Sequence, residues 1–195
     1  MDSRDEPRFA QLTAVACHDL RTPLATVYGF SRTLARMELG EPADRYVEMI
    51  EAASSQVGEL LEQLSLVAQI ERGRFEPHLD EVDSLALARS AAAALGESRV
   101  AVSGTGAPIR VPLRETERAV TQLTRAAQRH GGLDAVELDV NGRELSLGPV
   151  SRNSEGVLVG TDIRELGAAA GATLVRALGG SLELEGDRLR IRLPD

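Results

Sequence analysis

The residues best suited to chemistry lie in one short stretch, Cys17-His18-Asp19-Leu20-Arg21-Thr22-Pro23-Leu24. If this stretch is helical, His18 and Thr22 lie one turn apart on nearly the same face, whereas Leu20 is turned inward on the opposite side. Asp19 lies about 100° round from His18. Pro23 has no N–H, so it leaves the carbonyl of Asp19 without its helical partner and predicts a kink just beyond the histidine. A histidine on the polar face of such a helix suits a nucleophile that meets a large partner.

The run HDLRTPLATVYGF resembles the H-box of bacterial two-component histidine kinases. The resemblance implies that His18 is the phosphoacceptor, that Asp19 assists it, and that Thr22 supports dephosphorylation of the partner. Arg21 and Thr22 would steady phosphoryl oxygens or a water. The partners it implies are response-regulator receiver domains, which supply their own Mg²⁺.

Composition excludes several other classes. The chain has 195 residues and a net charge of −8, from 22 basic and 30 acidic side chains, which argues against a nucleic-acid partner. Its single cysteine excludes an internal disulfide and fits a reducing compartment. No apolar run approaches the roughly 20 residues of a membrane span, and no signal peptide is visible. We therefore expect a cytoplasmic protein that has no membrane partner.

Two long amphipathic segments follow a flexible lead-in that is predicted over residues 1–8. Helices are predicted over 9–38 and 42–72, because Gly40 and Pro42 suit a helix end and the start of the next helix. The apolar seams contain Leu20, Leu24, Val27, Ser31 and Leu34 in the first helix, and Tyr46, Ile50, Ala53, Val57, Leu60, Leu64 and Val67 in the second. A single hairpin leaves such a seam half exposed, so residues 9–77 are predicted to close a four-helix bundle as a homodimer. The alternative is a monomer in which the second domain covers the seam.

The periodicity changes after the Gly- and Pro-containing linker, and residues 78–195 are predicted to form a second domain. Helices are predicted over 84–95, 115–129 and 161–178, the last one capped by Thr161 or Asp162. Short strands are predicted over 99–103, 109–111, 135–140, 143–147, 181–185 and 188–193, with 148–160 as a loop. The first two strands flank a turn at Gly104 and Gly106, and Asn141-Gly142 predicts a type I′ hairpin. The predicted fold class is thus a long helical hairpin followed by a two-layer α/β sandwich.

This order of elements resembles the ATP-binding domain of histidine kinases in a degenerate form. The family carries two asparagines four residues apart, the second holding Mg²⁺, where this chain has Gln122 and Ala126. Alanine offers no oxygen ligand. Leu147-Gly148-Pro149-Val150 stands where the family has the carboxylate that reads adenine, and only Gly167 remains of the Gly-rich run over the phosphates. We therefore expect no tightly bound cofactor.

These features favour a histidine phosphotransferase of a phosphorelay, which carries a phosphoryl group on His18 between receiver aspartates without using ATP. Two alternatives stay open: a divergent but active sensor histidine kinase, and a pseudokinase module that sequesters a receiver or a kinase. Away from the H-box, His78 and His130 are expected to be solvated. Arg125 and Arg129 are expected on a solvated helix face.

Overall fold

The computed structural model describes residues 6–37, 40–96 and 98–194. The chain forms two compact units, of which the first ends at Phe75 and the second begins at Glu76. The first unit is a hairpin of two helices, α1 (Glu6–Ala35) and α2 (Ala43–Glu71). Helix α1 continues through Pro23. The predicted flexible lead-in is wrong for residues 6–8, which already belong to α1, whereas residues 1–5 lie outside the described part. Pro7 is compatible with this start because first-turn N–H groups have no helical acceptor.

A row of mostly small side chains holds the two helices together. Val47, Ser54, Leu61 and Ala68 recur every seven residues along α2 and are all buried. The row faces α1, because a Cβ added to Gly58 on the same face would lie 3.6 Å from Leu24 Cδ2. On α1, Cys17 and Ser31 are buried, and Leu24 and Tyr28 are half-buried. Small residues at these positions let the helices approach closely.

Much of the predicted seam does not lie in this contact. Ten large apolar side chains of the hairpin are 39–67% exposed in the single chain. We call them the apolar stripe: Leu20, Val27, Phe30, Leu34, Met37, Tyr46, Met49, Ile50, Val57 and Leu60. Leu20 is 54% exposed, so the prediction that it turns inward is wrong for the single chain. The predicted seam of α1 splits, because Leu24 and Ser31 face α2 while Val27 and its heptad neighbours lie roughly 50° further round the helix. Since the helices are antiparallel, helical geometry puts the stripes of α1 and α2 on one side of the hairpin.

The second unit alternates helices and short strands. Its elements are β1 (Asp80–Asp83), α3 (Ser84–Ala93), β2 (Val100–Gly106), β3 (Pro108–Val111), α4 (Leu113–Gly131), β4 (Val136–Gly142), β5 (Glu144–Gly148), α5 (Arg152–Leu158), α6 (Leu166–Ala177), β6 (Ser181–Glu185) and β7 (Arg188–Arg192). Within the described residues, five strands form one sheet in the order β2-β4-β5-β7-β6, and β1 pairs with β3. The pair β2–β4 is parallel, and the other neighbours in the sheet are antiparallel. The helices pack on one face of the sheet, as the alternating burial of β4 shows.

The core lies between α3, α4 and α6 and the sheet. Leu123, Leu138, Leu145, Leu147 and Ile191 are fully buried in it. The other face of the sheet is exposed and carries ion pairs such as Arg188 Nη2–Glu137 Oε2 at 2.9 Å. The predicted two-layer arrangement of helices on a mostly antiparallel sheet is therefore present.

Four local predictions in this unit are wrong. The predicted turn at Gly104 and Gly106 is wrong, because both glycines belong to β2. Strand β2 lies parallel to β4, and β3 pairs with β1. Helix α5 occupies part of the predicted loop 148–160, where Val157 and Leu158 are buried. Thr161 does not cap α6, because its N–H and hydroxyl both donate to Gly156 O at the end of α5. The β4–β5 turn falls one residue later than predicted, since Asn141 pairs with Glu144.

Candidate functional site

His18 lies on an exposed face of the middle of α1. It is opposite Leu20 and Val27 on the helix, so it lies on the other side of the hairpin from the apolar stripe. Thr22 is one turn further on and is also exposed. The hydroxyl of Thr26 donates to the Thr22 carbonyl at 3.2 Å.

The surface beyond His18 is low and open. Thr22, Ala25 and Gly29 follow His18 along the same face, and all three are small and exposed. A Cβ added at Gly29 would meet no atom within 4 Å. A large partner can therefore approach the imidazole ring from this side.

The residues near His18 in sequence differ in exposure. Arg21 is exposed and lies on the same stretch of α1 as His18. Asp19 belongs to α1, but its side chain lies outside the described part of the structure. Cys17 is buried on the face toward α2. Burial raises the pKa of the Cys17 thiol, and the Arg21 guanidinium partly offsets that rise.

A second region of interest lies where α4 meets α6 in the other unit. Ala126, at the position of the family's Mg²⁺-holding asparagine, is fully buried. Gln122 is 8% exposed, and its carboxamide lies against Gly167, where an added Cβ would be 2.7 Å from Gln122 Oε1. One turn further on, a Cβ at Gly171 would lie 3.1 Å from the Ala119 carbonyl oxygen. The two helices are thus packed almost backbone to backbone along this contact.

A carboxylate closes one end of that contact. Glu165 Oε2 lies 3.0 Å from His130 Nε2, and Glu165 Oε1 lies 3.6 Å from Arg129 Nη1. The His130 side chain is 20% exposed, so the prediction that this histidine is solvated is wrong. His78 has a side chain that is 92% exposed. Arg129 and His130, at the end of α4, therefore already contact a carboxylate of the same chain.

The segment after β5 offers no carboxylate. Val150 N–H donates to the Asp187 carbonyl at 2.6 Å, which ties this segment to the β6–β7 turn. A Cβ at Gly148 would lie 2.8 Å from Arg188 Cγ, so the arginine side chain crosses over the glycine. The residues present therefore do not fit the Mg²⁺–nucleotide site that the fold family implies. Within the described part of the chain, no group of three or more His, Cys, Asp or Glu side chains could hold a metal ion.

Comparison with known proteins agrees with the sequence motif. Residues 10–73 match the His Kinase A (phospho-acceptor) domain. No curated protein matches the chain. This chain is similar in structure to full-length ShkA in complex with AMPPNP, with a TM-score of 0.65 and 21% identity over 93% of this chain and 44% of that one. It is also similar to the Acinetobacter baumannii histidine kinase AdeS, with a TM-score of 0.57 and 18% identity over 91% of this chain and 98% of that one.

The family match therefore concerns the helical hairpin, and the matches to solved structures show the fold of the chain. The two structures share the fold with this chain, including the helical hairpin and the ATPase-like α/β domain. This chain spans 44% of the length of ShkA. None of the described helices is both long and apolar enough to cross a membrane.

Sequence reasoning missed two features of these regions. The Glu165–His130 contact joins residues that are 35 positions apart, and nothing in the local pattern of either helix end predicts it. The buried row of mostly small side chains on α2 was also missed, because a search for large apolar residues passes over Ser54 and Ala68. A heptad search that accepts small residues would have found it.

Proposed function

We propose that this protein is a histidine phosphotransferase that carries a phosphoryl group on His18 between receiver-domain aspartates and does not use ATP. A ring nitrogen of His18 attacks the phosphorus of a receiver's aspartyl phosphate. The N–P bond forms as the P–O bond to the aspartate breaks, and the aspartate leaves as a carboxylate. The reverse reaction delivers the group to a second receiver, and the Mg²⁺ comes with the receiver.

The packing of α6 on α4 is the observation that supports the proposal that the protein does not use ATP. Ala126 is buried and has no oxygen, and Gln122 occupies the space beside Gly167. Glu165 already pairs with Arg129 and contacts the His130 ring, so an incoming phosphate would have to displace a carboxylate. An intact His18 motif in a chain whose second unit has such a contact favours phosphate transfer over phosphate generation.

The roles of the H-box residues follow from their places on α1. Asp19 would orient the imidazole or accept its proton, because it is next to His18 in sequence. Arg21 and Thr22 would steady phosphoryl oxygens, and Thr22 could also hold a water. The open surface at Ala25 and Gly29 would admit the receiver.

The exposed apolar stripe supports a homodimer. The ten large apolar residues of the stripe lie between Leu20 and Met37 and between Tyr46 and Leu60, on one side of the hairpin. They would be covered by the same stripe of a second hairpin, which closes a four-helix bundle. His18 lies on the opposite side of each hairpin, so the bundle would leave both histidines accessible.

A second candidate is an active histidine kinase that binds ATP through other residues. The observation that favours it is the likeness of fold to ShkA, whose structure is a complex with AMPPNP. The third, a module that sequesters a receiver or kinase, shares the dimer surface but needs no reactive histidine.

One experiment separates the three. Purified protein is mixed with phosphorus-labelled receivers from the same cell and, in a parallel reaction, with labelled Mg²⁺-ATP. We expect acid-labile label to pass from a receiver to His18 and none to pass from ATP. Label from ATP would support the kinase instead. Tight binding of a receiver without any uptake of label would support the sequestering module.

A further inference from the structure

A cleft in the second unit has a charge that contrasts with that of the rest of the chain. It has a volume of about 850 Å³ and lies where the end of α3 and the start of β2 meet the C-terminal half of α4. Three arginines line it, together with one aspartate: Arg99, Arg125, Arg129 and Asp134. The whole protein has a net charge of −8, so a concave surface that gathers three guanidinium groups is unusual for it. Arg125 and Arg129 had been expected only on a solvated helix face.

The guanidinium groups are largely available for a ligand. Among the described residues, neither Arg99 nor Arg125 forms an ion pair, whereas Arg129 shares its charge with Glu165 at 3.6 Å. Part of the positive charge offsets the negative end of the α4 dipole. One cation in the last turn is enough to offset the dipole of α4, so the two unpaired arginines facing the cleft supply more positive charge than the helix end needs.

The frame of the cleft is held in place by hydrogen bonds. The Arg99 carbonyl accepts from Gln128 Nε2 at 3.0 Å and from Val136 N–H at 3.0 Å. The Gln128 carbonyl in turn accepts from Leu133 N–H at 2.9 Å. The backbone at Arg99 is therefore fixed to α4 before any ligand arrives, which lowers the entropic cost of binding. Leu95 and Leu133 add apolar lining.

The cleft is separate from the region discussed for nucleotide. Arg125 and Gln128 lie on a face of α4 that is turned toward the end of α3, whereas Gln122 and Ala126 face α6. The volume is within the range of small-molecule sites.

We propose that this cleft binds a small organic anion carrying at least two phosphate or carboxylate groups. The planar guanidinium of arginine pairs with either group through two parallel hydrogen bonds, and two such groups would engage Arg99 and Arg125 together. The site is independent of phosphotransfer at His18.

The test is calorimetric titration of the full chain with pyrophosphate and, separately, with citrate, at matched ionic strength. We expect saturable one-to-one binding of at least one probe. Arg99→Gln and Arg125→Gln should each weaken it by about tenfold, the loss of one charge-assisted hydrogen-bonded pair. Arg114→Gln is the matched control, because Arg114 is exposed on the same helix but outside the cleft, and it should leave binding unchanged.

The pattern of binding identifies the chemistry. Pyrophosphate alone would indicate a phosphate ester, citrate alone a polycarboxylate, and both together an anion site of either kind. If an arginine variant fails to fold, Asp134→Asn replaces it and should strengthen binding by about threefold by removing the lining carboxylate. The proposal is overturned if neither probe saturates, or if binding is the same in wild type and in the Arg99 and Arg125 variants.

Discussion

His18 combines exposure with a place in the middle of a long helix. Its ring contributes little to packing, so His18→Gln should leave the thermal unfolding of the protein nearly unchanged. The same change should abolish the uptake of label from a phosphorylated receiver, since glutamine has no nucleophilic ring nitrogen. His78→Gln is the matched control, because that histidine is 92% exposed just before β1 and should keep full uptake. Uptake that persisted in His18→Gln would show that another residue carries the phosphoryl group.

Cys17 is next to His18 in sequence but differs from it in environment. Its side chain is 1% exposed, and burial raises the pKa of its thiol, so little thiolate exists near neutral pH. We expect alkylation by iodoacetamide at pH 8 to be slow in the native protein and fast in denaturant. Because the chain has one cysteine, the reaction reports on this site alone. A Cys17→Ala chain carrying Ala25→Cys is the control and should react fast when native. Equal native rates would contradict the burial of Cys17.

The exposure of the candidate site residues on α1 was predictable from sequence because it follows from a local pattern. His18, Arg21 and Thr22 lie within two turns of one helix, and helical periodicity alone gives their shared exposure. Glu165 and His130 meet only after α4 and α6 are packed together, so no local pattern indicates their contact. The cleft beside Arg99 is also not predictable from a local pattern, since Arg125, Gln128 and Arg129 of α4 line it together with Arg99.

At the scale of elements, the last hairpin of strands, the long helices and α4 were predicted well because their periodicity is continuous. The pairing of β2 was not predicted, because its parallel neighbour β4 lies 36 residues away and the sequence of β2 does not indicate which strand it pairs with. Helix α5 was missed because its seven residues contain Gly, Ser and Asn, which are typical of loops. The burial of Val157 and Leu158 against the rest of the unit stabilises it there.

Gly104 is the position where β2 depends most on the absence of a side chain. Its φ is +103°, and an added Cβ would lie 2.0 Å from the Val140 carbonyl oxygen on β4. Gly104→Ala should therefore lower the free energy of unfolding of this unit by at least about 3 kcal/mol, from backbone strain and a clash with main chain. Gly132→Ala isolates the strain, because Gly132 also has positive φ but no atom within 4 Å, and should cost about 1 kcal/mol. Urea unfolding measures both. Equal losses would show that the close approach of β2 and β4 does not matter.

The apolar stripe of the hairpin makes a sharp prediction for assembly. Val27 is 48% exposed on the stripe, so Val27→Asp should give a monomer or an aggregate by placing a charge in the bundle core. Ala25→Asp lies two residues away, on the side of His18, and should stay a dimer. Sedimentation velocity distinguishes them. If Val27→Asp remains a folded dimer, the protein associates through another surface.

At the scale of the whole molecule, the two units have complementary chemistry. The hairpin separates an open, small-residue surface around His18 from an apolar surface on its other side. The second unit keeps the layers of an ATPase-like domain but fills the contact between α4 and α6 with its own side chains, notably Gln122 and Glu165. The element order could be predicted from sequence. The way in which α6 closes on α4 could not, since it depends on glycines whose role appears only when the helices meet.

Mg²⁺-ATP should not stabilise the intact chain against heat. A kinase-type site with a Kd of about 100 μM would, at about 10 mM Mg²⁺-ATP, add about 2.7 kcal/mol and raise the Tm of the second unit by about 10 °C. We expect no Mg²⁺-dependent rise, because Ala126 offers no ligand and Glu165 holds the positive groups near α6. ATP could also enter the arginine cleft through its phosphates, so the titration is repeated in the Arg99→Gln chain and with EDTA in place of Mg²⁺. Stabilisation that needs Mg²⁺ and survives in Arg99→Gln would contradict the proposed loss of ATP use and favour a divergent kinase. Stabilisation that disappears in Arg99→Gln would instead belong to the cleft.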